Sequence, residues 1–263
     1  MKFSVQENLV PGKDYEEKFS LLKQLGYDGV ELWGKEDLAQ KVDQIKEASA
    51  SYGISVSTIC VGYKGDLLAA SPKDRELAVN GIIDRLNWAA ELGAVGVIVV
   101  PTAGGPKIPD LSPYATAVEL ERRLLIEELK LLSKKALDVG SRVIIEPVNR
   151  YESHLANKVA DAYSIALEAG EGVAVMADFY HMNIEEANVI ETLKSVFPRL
   201  VHLHLSDNNR SQPGKGHVDF AGPLSYLESL GYSYYGALEC NLSGEPKASL
   251  KEEREFLRSA SGV

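Results

Sequence analysis

The sequence has few cysteines, no long apolar run and a deficit of positive charge. Its 263 residues include only two cysteines, Cys60 and Cys240, which cannot build a disulfide framework. No apolar segment approaches the roughly 20 residues that cross a bilayer, so we expect no membrane partner. The 28 Lys and Arg residues against 38 Asp and Glu residues give a net charge of -10, which argues against a nucleic-acid partner.

Two further absences concern the start of the chain and cofactor binding. Residues 1–10 contain one lysine but neither an apolar core nor a small-residue cleavage site, which argues against a signal peptide and favours the cytoplasm. No G-x-G-x-x-G follows the first predicted strand, where a dinucleotide site requires it. With 45% hydrophobic and 25% charged residues, the composition is that of a globular protein rather than a disordered one.

Short β-rich runs alternate with longer amphipathic runs along the whole chain. Strands are predicted at 2–7, 28–33, 54–60, 95–101, 142–148, 172–178, 200–206 and 236–242. Helices are predicted at about 14–25, 36–52, 73–92, 113–139, 158–169, 184–196, 222–230 and 247–259. Such alternation indicates a parallel sheet. Eight units without a dinucleotide fingerprint favour an α/β fold with one closed (β/α)8 TIM barrel, a single domain over residues 1–263, rather than an open sheet.

Metal-ligand residues end each of the last four predicted strands. They are Glu146, Asp178, either His202 or His204, and Glu239. In such barrels the carboxyl ends of the strands form the active site, so these side chains are expected to converge. A lone strand-end carboxylate is more often a cap or a surface charge, but three packed together without a cation would be unfavourable. Three carboxylates and one imidazole suit Mn²⁺ or Mg²⁺, with Co²⁺ also compatible.

The second half of the chain contains motifs that resemble a known superfamily. They are EPVNRYE (146–152), ADFYHMNIEE (177–186), HLHLSDNNR (202–210), PGKGHVDF (213–220) and LEC (238–240). They resemble those of the sugar isomerase/epimerase superfamily with a xylose-isomerase-like barrel, and most of all its ketose 3-epimerase branch, the D-tagatose, D-psicose and L-ribulose 3-epimerase types. The first half is similar mainly through GYDGVEL at 26–32.

This resemblance implies a set of site residues. One divalent metal ion is expected on Glu146, Asp178, His204 and Glu239, with Mn²⁺ preferred over Mg²⁺ and Co²⁺. His202 is left to packing and hydrogen bonding beneath the site. Substrate binding is implied for Glu152, His181 and Arg210.

The resemblance also implies a reaction. A free ketohexose or ketopentose would be epimerised at C3 through an enediolate, with Glu146 and Glu239 as the acid/base pair. The expected partner is a small-molecule sugar, and the family implies a homo-oligomer, either a dimer or a tetramer.

Other activities on this scaffold stay open. The superfamily includes aldose–ketose and hydroxypyruvate isomerases, ketose-phosphate 3-epimerases and inosose dehydratases. Lys215 and Arg210 follow the seventh strand, where barrels often bind phosphate. Asp207 and Ser206 depart from the Glu and Gly of the compared epimerases, which leaves the substrate preference open. A nuclease of the endonuclease IV type would need more than the five histidines present, and a non-enzymatic sugar-binding barrel would not need both glutamates.

Several residues near the expected barrel mouth have no role assigned by sequence. The long Gly- and Pro-rich loop 101–113 is expected to form a lid or rim. The other residues without an assigned role are Glu31, Trp33, Cys60, His154 and His217.

Overall fold

A computed structural model describes residues 1–262; Val263, the last residue of the predicted domain, lies outside the described residues. Eight parallel strands pair in chain order, and the first pairs with the last, so the predicted (β/α)8 barrel is confirmed. The strands are β1 (Lys2–Gln6), β2 (Gly29–Trp33), β3 (Ser55–Cys60), β4 (Val97–Val99), β5 (Val143–Ile145), β6 (Val173–Asp178), β7 (Leu200–Leu205) and β8 (Tyr235–Leu238).

Nine α-helices surround the barrel in the part of the chain that the structure describes. They are α1 (Tyr15–Leu25), α2 (Val42–Tyr52), α3 (Pro72–Glu91), α4 (Ala117–Val139), α5 (Val159–Ala169), α6 (Phe179–Glu185), α7 (Val189–Val196), α8 (Ala221–Ser229) and α9 (Pro246–Ser261). Over residues 1–262, none is long and apolar enough to cross a membrane.

The strands are buried on both faces, as their apolar sequences predict. A large apolar layer fills the space between strands and helices. A smaller cluster of buried side chains occupies the barrel interior, formed by Cys60, Ile98, Ile144, Ala174, Met176 and Val201. Because apolar side chains close this interior, the polar site can form only above them, at the carboxyl ends of the strands.

Two helices begin later than predicted. The helix predicted at 113–139 begins at Ala117, where Thr116 and Glu119 form a reciprocal capping box. The segment predicted as a helix at 36–52 contains a short 3-10 helix at Glu36–Gln40, and α2 begins only at Val42.

The prediction of one helix at 184–196 was wrong at its N-terminal end. Two helices lie here, because Asp178 caps α6 directly after β6 and Asn188 caps α7. Their side chains accept hydrogen bonds from the backbone amides of Tyr180 at 2.8 Å and Glu191 at 3.1 Å. As a result His181 lies in the first turn of α6 and not in an irregular loop.

Candidate active site

The ends of β5 to β8 bring the four predicted metal ligands together. Asp178 is the last residue of β6, and its register partner on β7 is His204. Glu146 and Glu239 directly follow β5 and β8. One ligand atom from each of these four residues lies within 4.8 Å of the others, so the group has the spacing of a metal site.

His204 presents one ring nitrogen to the carboxylates. Its Nε2 lies 3.1 Å from Glu31, so this nitrogen carries a proton and donates a hydrogen bond to that carboxylate. Its Nδ1 lies 3.3 Å from Glu146 and 3.0 Å from Glu239. Nδ1 is buried without a hydrogen-bond partner among the described residues. A buried ring nitrogen that faces carboxylate oxygens fits a divalent cation, to which it would offer its lone pair in exchange for a proton.

The electrostatics of the cluster also fit a cation. Burial raises the pKa of Glu146. Burial also acts to raise the pKa of Glu239, but His204 and Arg210 outweigh it and lower that pKa to about 2. Burial acts to lower the pKa of His204, yet Glu239 and Glu31 hold it well above its usual range. Positive charge is therefore strongly favoured at the centre of the cluster.

Arg210 lies over two of the proposed ligands. Its Nη1 donates to Asp178 at 2.6 Å and its Nη2 donates to Glu239 at 2.5 Å. The guanidinium lies 4.6 Å from the centre of the Tyr180 ring. With φ of 60° the backbone of Arg210 is left-handed, a strained conformation for a residue with a side chain.

Asp207 organises the loop that holds Arg210 in this conformation. Its fully buried carboxylate accepts four backbone amide hydrogen bonds, at 2.8 to 3.1 Å, from Asn208, Gly214, Gly216 and Val218. The Arg210 amide donates to the Asp207 carbonyl at 2.9 Å. The Asp at this position, a departure from the compared epimerases, therefore has a structural role in closing the loop.

His181 and Glu152 also lie at the cluster, and Asn149 joins them. The Nε2 atom of His181 lies 3.6 Å from Asp178. The Nδ2 atom of Asn149 lies 2.8 Å from Nδ1 of His181 and donates to Glu152 at 2.9 Å. The structure thus brings all the predicted site residues into one cluster at the barrel mouth.

Comparison with known proteins places this architecture in a family. Residues 19–260 match the family described as the xylose isomerase-like TIM barrel. The chain belongs to that family. The sequence resemblance is thereby confirmed, and so is the predicted enzyme class, an epimerase acting on carbohydrates.

Relatives of this xylose isomerase-like barrel carry two kinds of name. This chain is 35% identical to a 3-dehydro-D-guloside 4-epimerase of Escherichia coli (strain K12), over 98% of this chain and all of the relative. It is 34% identical to a D-psicose 3-epimerase of Enterocloster bolteae, over 45% of this chain and 40% of the relative. The crystal structure of the E. coli 3-keto-D-glucoside 4-epimerase superposes with a TM-score of 0.90, at 31% identity, over 98% of this chain and 99% of that one.

A polar layer from the first three strands supports the ligand cluster of this family member. Glu31 is fully buried and accepts hydrogen bonds from Thr58 at 2.6 Å and Gln6 at 3.1 Å. It also pairs with His202 at 2.8 Å, so His202 has the supporting position expected for it. Burial acts to raise the pKa of Glu31, but His204 and His202 outweigh it and hold that pKa well below its usual range. Glu31 therefore lies beneath the site and not at the open mouth.

Cys60 lies in the same buried layer. Its sulfur is within 4.8 Å of ligand atoms of Glu31 and His204. Burial raises the pKa of its thiol well above the usual range, so it remains a neutral wall residue, as its sequence position suggests.

The remaining unassigned residues lie outside the cluster. Trp33 lines a separate cavity of about 210 Å³, and its indole donates to Asn8 at 3.0 Å. His217 is exposed on a groove beside α7. The side chain of Lys215, considered above for phosphate, pairs with Glu252 at 2.8 Å and is directed to the outer surface.

His154 joins the loop at 101–113 to the rest of the rim. Its Nδ1 lies 2.8 Å from the carbonyl of Gly104, and its Nε2 pairs with buried Glu121 on α4. Gly104 also forms a parallel bridge with Ser153. The loop is therefore fixed beside the segment that carries Glu152, which makes it a rim of the site.

Sequence reasoning missed three residues of this arrangement. Asn149 lies inside the EPVNRYE motif, where its buried amide links two predicted substrate-binding residues. Gln6 and Thr58 give no motif signal; the fold brings them to the site from strands in the first half of the chain.

Proposed function

We propose that this protein is a divalent-metal-dependent epimerase that inverts a hydroxyl-bearing carbon next to a ketone in a sugar. One observation carries the proposal. Glu146 and Glu239, which follow the non-adjacent strands β5 and β8, each have a carboxylate oxygen within 3.3 Å of Nδ1 of His204. Two carboxylates around one cation position can serve both faces of a single substrate carbon.

The reaction needs a base and an acid at the same carbon. One glutamate, ionised, takes the proton from the carbon next to the ketone, and the electron pair of the broken C–H bond moves into an enediolate. The other glutamate, protonated, returns a proton to the opposite face. Charge balances because one carboxylate becomes an acid as the other becomes a carboxylate, so the pair runs in both directions.

A divalent cation held by Glu146, Asp178, His204 and Glu239 would act as a Lewis acid and make the carbon next to the ketone more acidic. The chemistry of the donors, three carboxylates and one imidazole, fits Mn²⁺ first, and Mg²⁺ or Co²⁺ also.

Three further side chains would hold the oxygens of the substrate. Arg210 already donates to two carboxylates at the mouth, and its guanidinium is positioned to stabilise developing negative charge on an enediolate. His181 would donate from Nε2 to an oxygen next to the reacting carbon. Glu152, with about half of its side chain exposed, would accept a hydrogen bond from a sugar hydroxyl.

Two substrates share this chemistry. Similarity over the full chain to a named 3-dehydro-D-guloside 4-epimerase favours C4 of a 3-keto-glycoside. The EPVNRYE and HLHLSDNNR motifs and the D-psicose 3-epimerase relative favour C3 of a free ketose, the substrate expected from the sequence. In both, the reacting carbon bears a hydroxyl and neighbours a ketone.

Proton exchange in D₂O tests the reaction and separates the substrates. Metal-stripped protein, with and without Mn²⁺, is incubated with methyl 3-keto-glycosides and with fructose, psicose, tagatose, ribulose and xylulose, and followed by NMR. Mn²⁺-dependent deuterium at C4 of the glycosides, with the C4 epimer, identifies the first substrate. Deuterium at C3 of a ketose identifies the second. Deuterium at C1 would indicate an aldose–ketose isomerase, and no exchange on any sugar would overturn the proposal.

A further inference from the structure

We infer that Asn149 is a positioning residue that fixes the tautomer of His181, so that the ring presents its Nε2–H to the substrate. The inference deepens the proposed function and rests on it for the identity of the acceptor. The arrangement itself rests on three side chains at the mouth of the barrel: Asn149, His181 and Glu152.

Two donors from one residue meet the same ring nitrogen. The backbone amide of Asn149 lies 3.2 Å from Nδ1 of His181, and its side-chain Nδ2 lies 2.8 Å from the same atom. A backbone N–H can only donate. Nδ1 must therefore offer its lone pair, and the neutral ring carries its proton on Nε2.

The orientation of the Asn149 amide is set by its other contacts. The backbone amide of Tyr151 donates to its Oδ1 at 3.0 Å, which identifies the oxygen. The remaining hydrogen on Nδ2 is donated to Glu152 at 2.9 Å. Each polar atom of the Asn149 side chain thus has a partner, and the amide cannot turn over without placing its oxygen against the carboxylate of Glu152.

Burial makes this arrangement costly to lose. Asn149 is 1% exposed and His181 is 3% exposed, so water cannot replace the donors. A half-turn of the imidazole would set a C–H group against two N–H donors, and leaving a buried donor unpaired costs about 1–3 kcal/mol. The Nε2–H stays directed towards the metal-ligand cluster, where Asp178 lies 3.6 Å away.

Nitrogen NMR reads the tautomer without any substrate. The protein is labelled with ¹⁵N-histidine and loaded with Mg²⁺, which is diamagnetic, and long-range ¹H–¹⁵N spectra are recorded. The His181 signals are assigned by their loss in His181→Gln. In the wild-type protein we expect a protonated Nε2 and an unprotonated Nδ1. A proton on Nδ1 would overturn the inference, whatever the behaviour of any variant.

Asn149→Asp replaces the N–H donor that faces Nδ1 of His181 with a carboxylate oxygen, an acceptor, with little change in shape. A carboxylate oxygen beside Nδ1 should shift the proton of the neutral ring from Nε2 to Nδ1, so that the donor directed at the cluster is lost. We combine it with Glu152→Gln, because two neighbouring carboxylates would repel, and compare the pair with Glu152→Gln alone. The matched control is Asn183→Asp, an exposed position on the same helix as His181. An unchanged His181 spectrum in the double variant would contradict the inference.

Activity provides a second readout. Relative to Glu152→Gln, the double variant should lose about a hundredfold in kcat with a smaller change in KM, since one oriented donor to the reacting oxygen is lost. Unchanged kcat would contradict a positioning role. Absence of epimerisation by the wild-type protein would instead contradict the proposed function, and the tautomer measurement would still test the arrangement by itself.

Discussion

The two halves of the barrel contribute different chemistry to the same site. Strands β5 to β8 supply the three carboxylates and the histidine that could hold a divalent cation. The first half supplies Gln6, Glu31 and Thr58, which lie one layer deeper and bind one another and the histidines of β7. In the proposed function the ligand half would act on the substrate, whereas the supporting half would fix which atoms the ligand half presents.

Breaking the ligand half should have the largest effect. Glu146→Gln and Glu239→Gln should each lower kcat by roughly a thousandfold or more, because each removes one partner of the acid/base pair. Deuterium exchange measures this at Mn²⁺ concentrations that saturate each variant. Glu152→Gln is the control, since it changes a substrate contact and should cost less. Retention of more than a tenth of wild-type turnover by either variant would refute the two-glutamate pair.

Breaking the supporting half should mainly weaken metal binding. In Glu31→Gln the acceptor for Nε2–H of His204 is replaced by a neutral amide, and Mn²⁺ affinity should fall about 10–100-fold. Isothermal titration calorimetry measures this affinity. Glu36→Gln, an exposed glutamate just beyond β2, is the matched control. If both variants bind Mn²⁺ like the wild type, the deeper layer does not orient the ligand.

Metal removal should lower the stability of the fold through the ligand half. Mn²⁺ at about 100 times its Kd should stabilise the fold by about 2.7 kcal/mol. For a chain of this size the Tm should rise by roughly 5–10 °C. Asp178→Asn, which lacks one carboxylate ligand, should show a much smaller rise in differential scanning calorimetry. An equal rise in both proteins would mean that the ion binds elsewhere.

A buried acid outside the barrel interior provides a comparison with Glu31. It tests whether hydrogen-bond and charge partners, rather than burial alone, determine if a buried glutamate stays ionised. Glu253 on α9 is 2% exposed, and its Oε1 has no partner among the described residues. Burial raises its pKa from 4.5 to about 8. The folded chain therefore keeps a proton that the unfolded chain loses. The stabilising contribution of protonated Glu253 to the free energy of unfolding is complete below pH 4.5 and is lost as the pH rises towards 8.

Glu253→Gln should remove that pH dependence. Its advantage over the wild type in the free energy of unfolding should be near zero at low pH and grow to several kcal/mol, at most about 5 kcal/mol, at alkaline pH. Urea unfolding at pH 4.5 and pH 8.5 measures the difference. Glu255→Gln, exposed on the same helix, is the control. A constant difference at the two pH values would show that Glu253 is not held protonated.

Sequence reasoning was most successful where a residue type and its position in a strand carry the information. The barrel follows from alternating patterns. The strand ends indicate the residues that the structure brings together, and the family resemblance selects His204 rather than His202 among them. Helix starts were less certain, because Thr116 and Asn188 act as caps through local hydrogen bonds that a periodic pattern does not contain. The support for Glu31 could not be predicted, since its partners come from β1, β3 and β7.

By itself, the sequence determined the barrel, the family and the four residues that are predicted as metal ligands. Only the tertiary structure decided how the atoms of those residues point. Strand register places Asp178 beside His204. The hydrogen bond from Nε2 of His204 to Glu31 leaves Nδ1 to face Glu146 and Glu239. Closure of the barrel brings Gln6 to Glu239, 233 positions apart in the chain. The physical reason is that hydrogen bonding between distant strands fixes protons and lone pairs, and no local pattern records those partners.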